Sequence, residues 1–180
     1  MPSPVTVKLK IKPYLKKYLL EKSINKEEPL LFDRKDEYGD LIFGCLTNHN
    51  EQKFLSITDK EFVYAYFNKY WPKGEWCEIQ LPYNRNFNVL YKNYLSDHNN
   101  RIIVAEITSR FYLELNKYLV FNIDKGVDRK IILRYFLNLY NITEDELNFD
   151  SIYRQSSRML ECKTRKFYYL FRHINAEFVL

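Results

Sequence analysis

Four arginines near the end of the chain, Arg154, Arg158, Arg165 and Arg172, share one face of a predicted long helix. At roughly 100° per residue they fall within about 40° of one another. Ile152, Met159, Leu160, Phe167, Leu170, Phe171 and Ile174 gather on the far side. Such a helix buries one face and offers the other to water or an anion. A guanidinium can make a paired contact to guanine, and a glutamine amide can do the same for adenine. Ser151, Arg154, Gln155 and Arg158 are the early exposed residues suited to base edges. Arg165, Lys166 and Arg172 lie further along and suit phosphates. Glu161 interrupts the same stripe.

Other chemistry is sparse. His49, His98 and His173 are scattered, with no HExxH or Cys-His spacing to hold a metal. No GxSxG, P-loop or GxGxxG is present. Asp33, Asp36, Glu37 and Asp40 cluster in a loop-like stretch, and Asp36 with Asp40 is the pair a magnesium-dependent nuclease would need. A solvated charged loop accounts for them better. The expectation is a protein that is not an enzyme and carries no cofactor and no metal.

The chain has 180 residues, enough for one domain or two small ones. Hydrophobic residues make up 46% and charged residues 28%, as in folded globules. The net charge of +5 is unevenly spread. Residues 1–26 carry seven Lys and one Glu, and residues 151–180 carry six basic and two acidic groups. Residues 27–127 are net −3 and residues 128–150 net −2. Positive charge at both ends is compatible with a polyanion such as DNA. Cys45, Cys77 and Cys162 are too far apart for a zinc site, and their odd number argues against a disulfide framework. No secretory signal pattern opens the chain and no run of 18 apolar residues occurs. These features predict a soluble protein of a reducing cytoplasm, with no membrane partner.

Several elements are readable. Val5, Val7, Leu9 and Ile11 alternate with Thr6, Lys8 and Lys10, a strand with one basic face. Pro13 opens a helix over 13–22 that places Leu15, Tyr18 and Leu19 on one side. Residues 24–40 read as charged and irregular, and Leu41–Leu46 as a short apolar strand or helix. Thr58 and Glu61 form a capping box for a helix to about Tyr70, ended by Pro72 and Gly74. Residues 76–81 alternate as a second strand, and a helix starts near Phe87. Asn99-Asn100 reads as a break. Val104, Ile107, Phe111, Leu115 and Tyr118 then mark a buried helix over 101–121. A turn at 122–127 leads to a helix over 128–140 with Ile132, Phe136 and Leu139 inward. Thr143 and Glu146 form a second capping box, and Asp150 is the expected N-cap of the last helix. VTVKLKIKPYLKKYL also echoes CEIQLPYNRNFNVLYKNYL, so the two strands are candidates to pair in one sheet.

Residues 128–142 and 150–166 resemble the supporting and recognition helices of a helix-turn-helix. The connection is longer than a compact motif requires, and its Glu144, Asp145 and Glu146 would repel DNA if they faced it. The N-terminal strand also resembles the opening of a ribbon–helix–helix protein, in which Thr6, Lys8 and Lys10 would face the groove. The alternative is an edge strand protected by lysines. The segments VTVKLKIKPYLKKYL, EIQLPYNRNFNVLYKNYLS, ITSRFYLEL and ILRYFLNLYNITEDELNFDSIYRQSSR resemble a family of small proteins from phages and mobile elements of Bacteroidetes-type bacteria. The resemblance implies a mobile-element setting and a DNA-binding C-terminal segment. It brings no catalytic residues, and FYYLFRHINAEFVL lies outside it.

The predicted fold class is α+β, mainly helical with a small antiparallel sheet and a helix-turn-helix-like C-terminal half. Residues 1–100 are expected to form an α+β region of two strand–helix units, and 101–180 a helical region. The functional expectation is a double-stranded-DNA-binding regulator or accessory factor, with Lys8 and Lys10 as further contacts. The alternative is a structural or assembly subunit of a phage particle, located in the virion. Either way a homo-oligomer or larger assembly is expected. The aromatic content and the apolar end Phe178-Val179-Leu180 favour the alternative.

Overall fold

The computed structural model describes residues 5–33, 35–46, 74–81 and 95–162. The helices expected from Thr58 and from Phe87 lie outside the described residues, as do Arg165, Lys166, Arg172 and the rest of 163–180. Within the described residues the fold is α+β and mainly helical, with five helices and a three-stranded sheet. The elements are β1 (Val5–Ile11), α1 (Pro13–Lys22), β2 (Leu30–Leu31), α2 (Glu37–Gly44), β3 (Glu75–Leu81), α3 (Asp97–Ile123), α4 (Arg129–Leu139) and α5 (Phe149–Cys162). No helix among the described residues is long and apolar enough to cross a membrane. The chain divides into two compact units, 1–111 and 112–180. That division falls inside α3, against the expected boundary at 100/101.

In the first unit, β1 and β3 pair antiparallel from Val5↔Leu81 to Ile11↔Glu75. This is the pairing that their matching alternation suggests. The sheet is mixed, however, because β2 adds on the other side of β3 in parallel. Two residues within a charged loop carry no period-two signal, so β2 is not readable from the sequence. Its loop closes on Asn25, whose amide donates to the Pro29 carbonyl (2.9 Å) and accepts from the Leu31 N–H (3.1 Å).

The inner sheet face is Val7, Leu9, Ile11, Leu30, Cys77, Ile79 and Leu81, all buried. Tyr14, Leu15, Tyr18 and Leu19 of α1 join this core. Phe111 sits edge-on to Tyr14 and Tyr18, with centroids 5.2 and 5.3 Å away, the arrangement aromatic quadrupoles prefer. Tyr18 and Tyr38 hydrogen-bond hydroxyl to hydroxyl at 2.8 Å, so two buried tyrosines satisfy one another.

The apolar run 41–46 belongs mostly to a helix. The Asp36 carboxylate accepts from the Tyr38 N–H at 3.0 Å and caps α2, and the backbone turns over at Cys45. Asn99-Asn100 does not break the chain either. Ser96 accepts from the Asn99 N–H (3.1 Å), so α3 starts at Asp97 and both asparagines lie in its first turns. Their side chains reach outward instead. Asn99 donates to the Cys45 carbonyl. Asn100 accepts from the Lys10 N–H (2.9 Å) and donates to the Lys10 carbonyl (3.1 Å).

In the second unit, Gly126 takes φ 78° in the turn after α3, a conformation that costs glycine little. Asp128 then caps α4 by accepting from Lys130 N–H at 2.8 Å. The helix ends in a Schellman arrangement. Asn141 adopts φ 51°, its N–H donates to the Asn138 carbonyl, and the Ile142 N–H donates to the Leu137 carbonyl (3.0 Å). Leu115, Leu119, Ile132, Leu133, Phe136, Leu137, Ile142 and Ile152 form the buried core of this unit. Tyr140 donates its hydroxyl to the Glu114 carboxylate. Leu139 departs from expectation. At 57% exposed it faces outward, because the inward arc of α4 runs through Ile132, Leu133, Phe136 and Leu137.

Asn100→Ala leaves the Lys10 N–H and carbonyl without their partner, and should cost about 2–4 kcal/mol in urea unfolding. Burial pushes the Cys77 thiol up to about 12, with Glu28, Glu78 and Glu75 adding to the rise and Lys16 opposing it. The neutral thiol is stabilised in the fold, so its contribution is intact below the unfolded value of 9.0 and is lost as pH climbs toward 12. Between pH 8 and about 10.5 the native protein should therefore lose more stability than Cys77→Ala, read as the shift in urea midpoint. Equal losses would show that the thiol ionises as freely folded as unfolded.

Candidate nucleic-acid interface

The exposed face of α5 is assembled from the helix start onward. The Asn148 side chain accepts from the Ser151 N–H at 3.0 Å, so Asn148 is the N-cap. Asp150, expected in that role, lies one position inside the helix, where its carboxylate is exposed in the first turn. There it favours the helix dipole. Ile152 and Ser156 are buried one turn apart, and Ser156 donates to the Tyr153 carbonyl at 2.7 Å. Burying this pair orients the rest. Ser151, Arg154 and Arg158 are exposed, and Gln155 is half-buried at the margin. Arg154 and Arg158 thus stand one turn apart on an open face. Asp150 precedes Arg154 by four residues, a favourable spacing for opposite charges.

A second basic group, absent from the sequence expectations, lies on α4. The Arg129 guanidinium is 3.9 Å from the Tyr153 ring centroid, and Lys130 is 5.8 Å from the same ring. Arg134 is 5.4 Å from the Phe149 ring, and Phe149 stacks on Tyr153 at 6.3 Å. These cation–π contacts join the start of α4 to the first turns of α5. The legible signal was the run of Arg129, Lys130 and Arg134 before an aromatic pair spaced by four residues.

The connection between α4 and α5 spans residues 140–148, unlike the tight turn of a compact helix-turn-helix. The predicted capping box forms only in part. Glu146 accepts from the Thr143 N–H at 2.9 Å, but it closes a turn, and α5 begins three residues later. That contact occupies the Glu146 carboxylate, while Glu144 and Asp145 are exposed.

The N-terminal strand supplies a weaker basic face than its sequence suggests. Thr6 and Lys8 are exposed, but Lys8 is 3.2 Å from Glu78 on β3. Lys10 is only 4% exposed, with its ammonium 5.5 Å over the Trp76 ring, so it is not placed to meet DNA beside Thr6 and Lys8. β1 pairs along its whole length with β3, and Asn100 occupies the other edge at Lys10. A strand so engaged is a covered edge strand, and the ribbon arrangement with a second copy loses that edge.

The acidic pair of the nuclease alternative is also accounted for locally. Asp36 caps α2 and Asp40 lies exposed on the same helix. Among the described residues no group of three or more His, Cys, Asp or Glu side chains could hold a metal ion. Comparison with protein-family models, with curated proteins and with solved structures finds no match.

The start of α5 is the lever for this face. Asn148→Ala should lower stability by about 1 kcal/mol, and Asn148→Asp, which keeps the acceptor, should restore most of it. Urea midpoints of the two variants provide the comparison.

Proposed function

We propose that this chain is a non-enzymatic, double-stranded-DNA-binding protein of a phage or mobile element, a regulator or accessory factor acting in the bacterial cytoplasm. The observation that carries the reading is the pair Arg154 and Arg158, exposed one turn apart on a helix whose opposite face is anchored by Ile152 and Ser156. A face of this kind can enter the major groove, with the arginines on guanine edges and Ser151 and Gln155 beside them. Arg165, Lys166 and Arg172 are assigned to phosphates. The exposed Glu144 and Asp145 restrict the approach, since they must point away from the duplex. The mobile-element setting rests on the family resemblance of the segments quoted above.

Fluorescence anisotropy with fragmented genomic DNA at two salt concentrations tests this. Binding should weaken as salt rises, with a log–log slope of about −0.9 per phosphate contact. Arg154→Ala with Arg158→Ala should reduce discrimination between sequences by about 10-fold or more. No binding at low salt would overturn the proposal. A second reading, a structural or assembly subunit of a phage particle, is favoured by the exposed Phe121, Ile131, Tyr135 and Leu139. It requires assemblies far larger than a dimer in sedimentation.

A further inference from the structure

The outward face of α4 is apolar where a solvated helix would be polar. Ile131, Tyr135 and Leu139 follow one another at four-residue steps and are 47%, 62% and 57% exposed. At roughly 100° per residue they form a stripe about 80° wide. Its flanks are Arg134 and Asn138, both exposed. The opposite arc is filled by Ile132, Leu133, Phe136 and Leu137, so the stripe has no use in packing α4 onto its own unit.

Charge around the stripe is polarised along the helix. At its N-terminal end stand Lys125, Arg129, Lys130 and Arg134, opposed by Asp124 and Asp128, and Asp128 is occupied in capping the helix. This end is net positive. Past its C-terminal end come Glu144, Asp145 and Glu146 with no basic residue among them. The helix dipole adds to both, positive at the start of α4 and negative at its end.

We propose that this face is the two-fold interface of a homodimer, in which α4 packs antiparallel against α4 of a second copy. A surface that is positive at one end and negative at the other complements itself when turned by two-fold symmetry. The basic start of one α4 then lies beside the acidic turn of the other. With the axis at Tyr135, that residue meets its own counterpart, and Ile131 meets Leu139 of the other copy. Three side chains a side fall short of the ~800 Å² per partner of a standard interface, so the dimer is weak and exchanges rapidly. This inference is independent of DNA binding, since it uses no residue of the exposed α5 face.

Sedimentation velocity on the full chain over a concentration series is the test. A monomer–dimer equilibrium is expected, with a dissociation constant on the order of 10 μM. Tyr135→Lys should weaken it at least 10-fold at unchanged helical circular dichroism. The reversal Lys130→Glu with Arg134→Glu should weaken it too, and adding Glu144→Lys with Asp145→Lys should recover association. Geometry is read independently by oxidative crosslinking with peptide mapping. Tyr135→Cys should link to itself, whereas Ile131→Cys should link to Leu139→Cys in a mixed sample and poorly to itself. A monomer at every concentration overturns the proposal, whether residues 163–180 or solvent cover the stripe. A dimer indifferent to Tyr135→Lys and to the charge reversal overturns it equally, as does one in which Ile131→Cys and Leu139→Cys chains fail to link.

Discussion

The first unit depends on one amide. Asn100 presents its carbonyl oxygen to the Lys10 N–H and its NH₂ to the Lys10 carbonyl, as the next strand of a sheet would. Buried backbone polar groups must be paired, and β1 is an edge strand with β3 on one side only. The side chain therefore completes the strand and ties it to the first turn of α3 in a single contact. Phe111, further along the same helix, meets Tyr14 and Tyr18 of α1. Strand, helix and aromatic core are held in register by residues separated by about ninety positions in the chain.

The same contact explains why the N-terminal basic strand lacks the role its composition suggests. Lys10 is drawn beneath Trp76, its cross-strand partner, and Lys8 faces Glu78 on the neighbouring strand. An exposed ion pair of this kind contributes little stability, but it removes local positive charge. What remains outward is a sheet face close to neutral rather than a basic ribbon.

In the second unit, termini decide more than propensities. Asp128 starts α4, Asn141 in the left-handed region ends it, and Asn148 starts α5. Each supplies hydrogen bonds that helix ends lack. Between them the long acidic connection lets Phe149 and Tyr153 sit under Arg129 and Arg134. The basic groups of α4 are thereby engaged with rings, while Arg154 and Arg158 stay open to solvent. Two sets of cations with similar sequence surroundings thus have different availability.

Much of this was legible from local pattern. The alternation of Val7, Leu9 and Ile11 marks β1, Pro13 marks the start of α1, and the three- and four-residue spacing of Val104, Ile107, Phe111 and Leu115 marks α3. The exposed pair Arg154 and Arg158 was legible too, because a helix that buries Ile152 must turn those positions outward. These features depend only on backbone periodicity, which is fixed by a few neighbouring residues. Tertiary structure decided the rest: β2, the inclusion of Asn99 and Asn100 in α3, the burial of Lys10, the cap at Asn148 and the exposure of Leu139. Each depends on a partner distant in sequence, or on which of two adjacent arcs the core claims, and local periodicity carries no record of either.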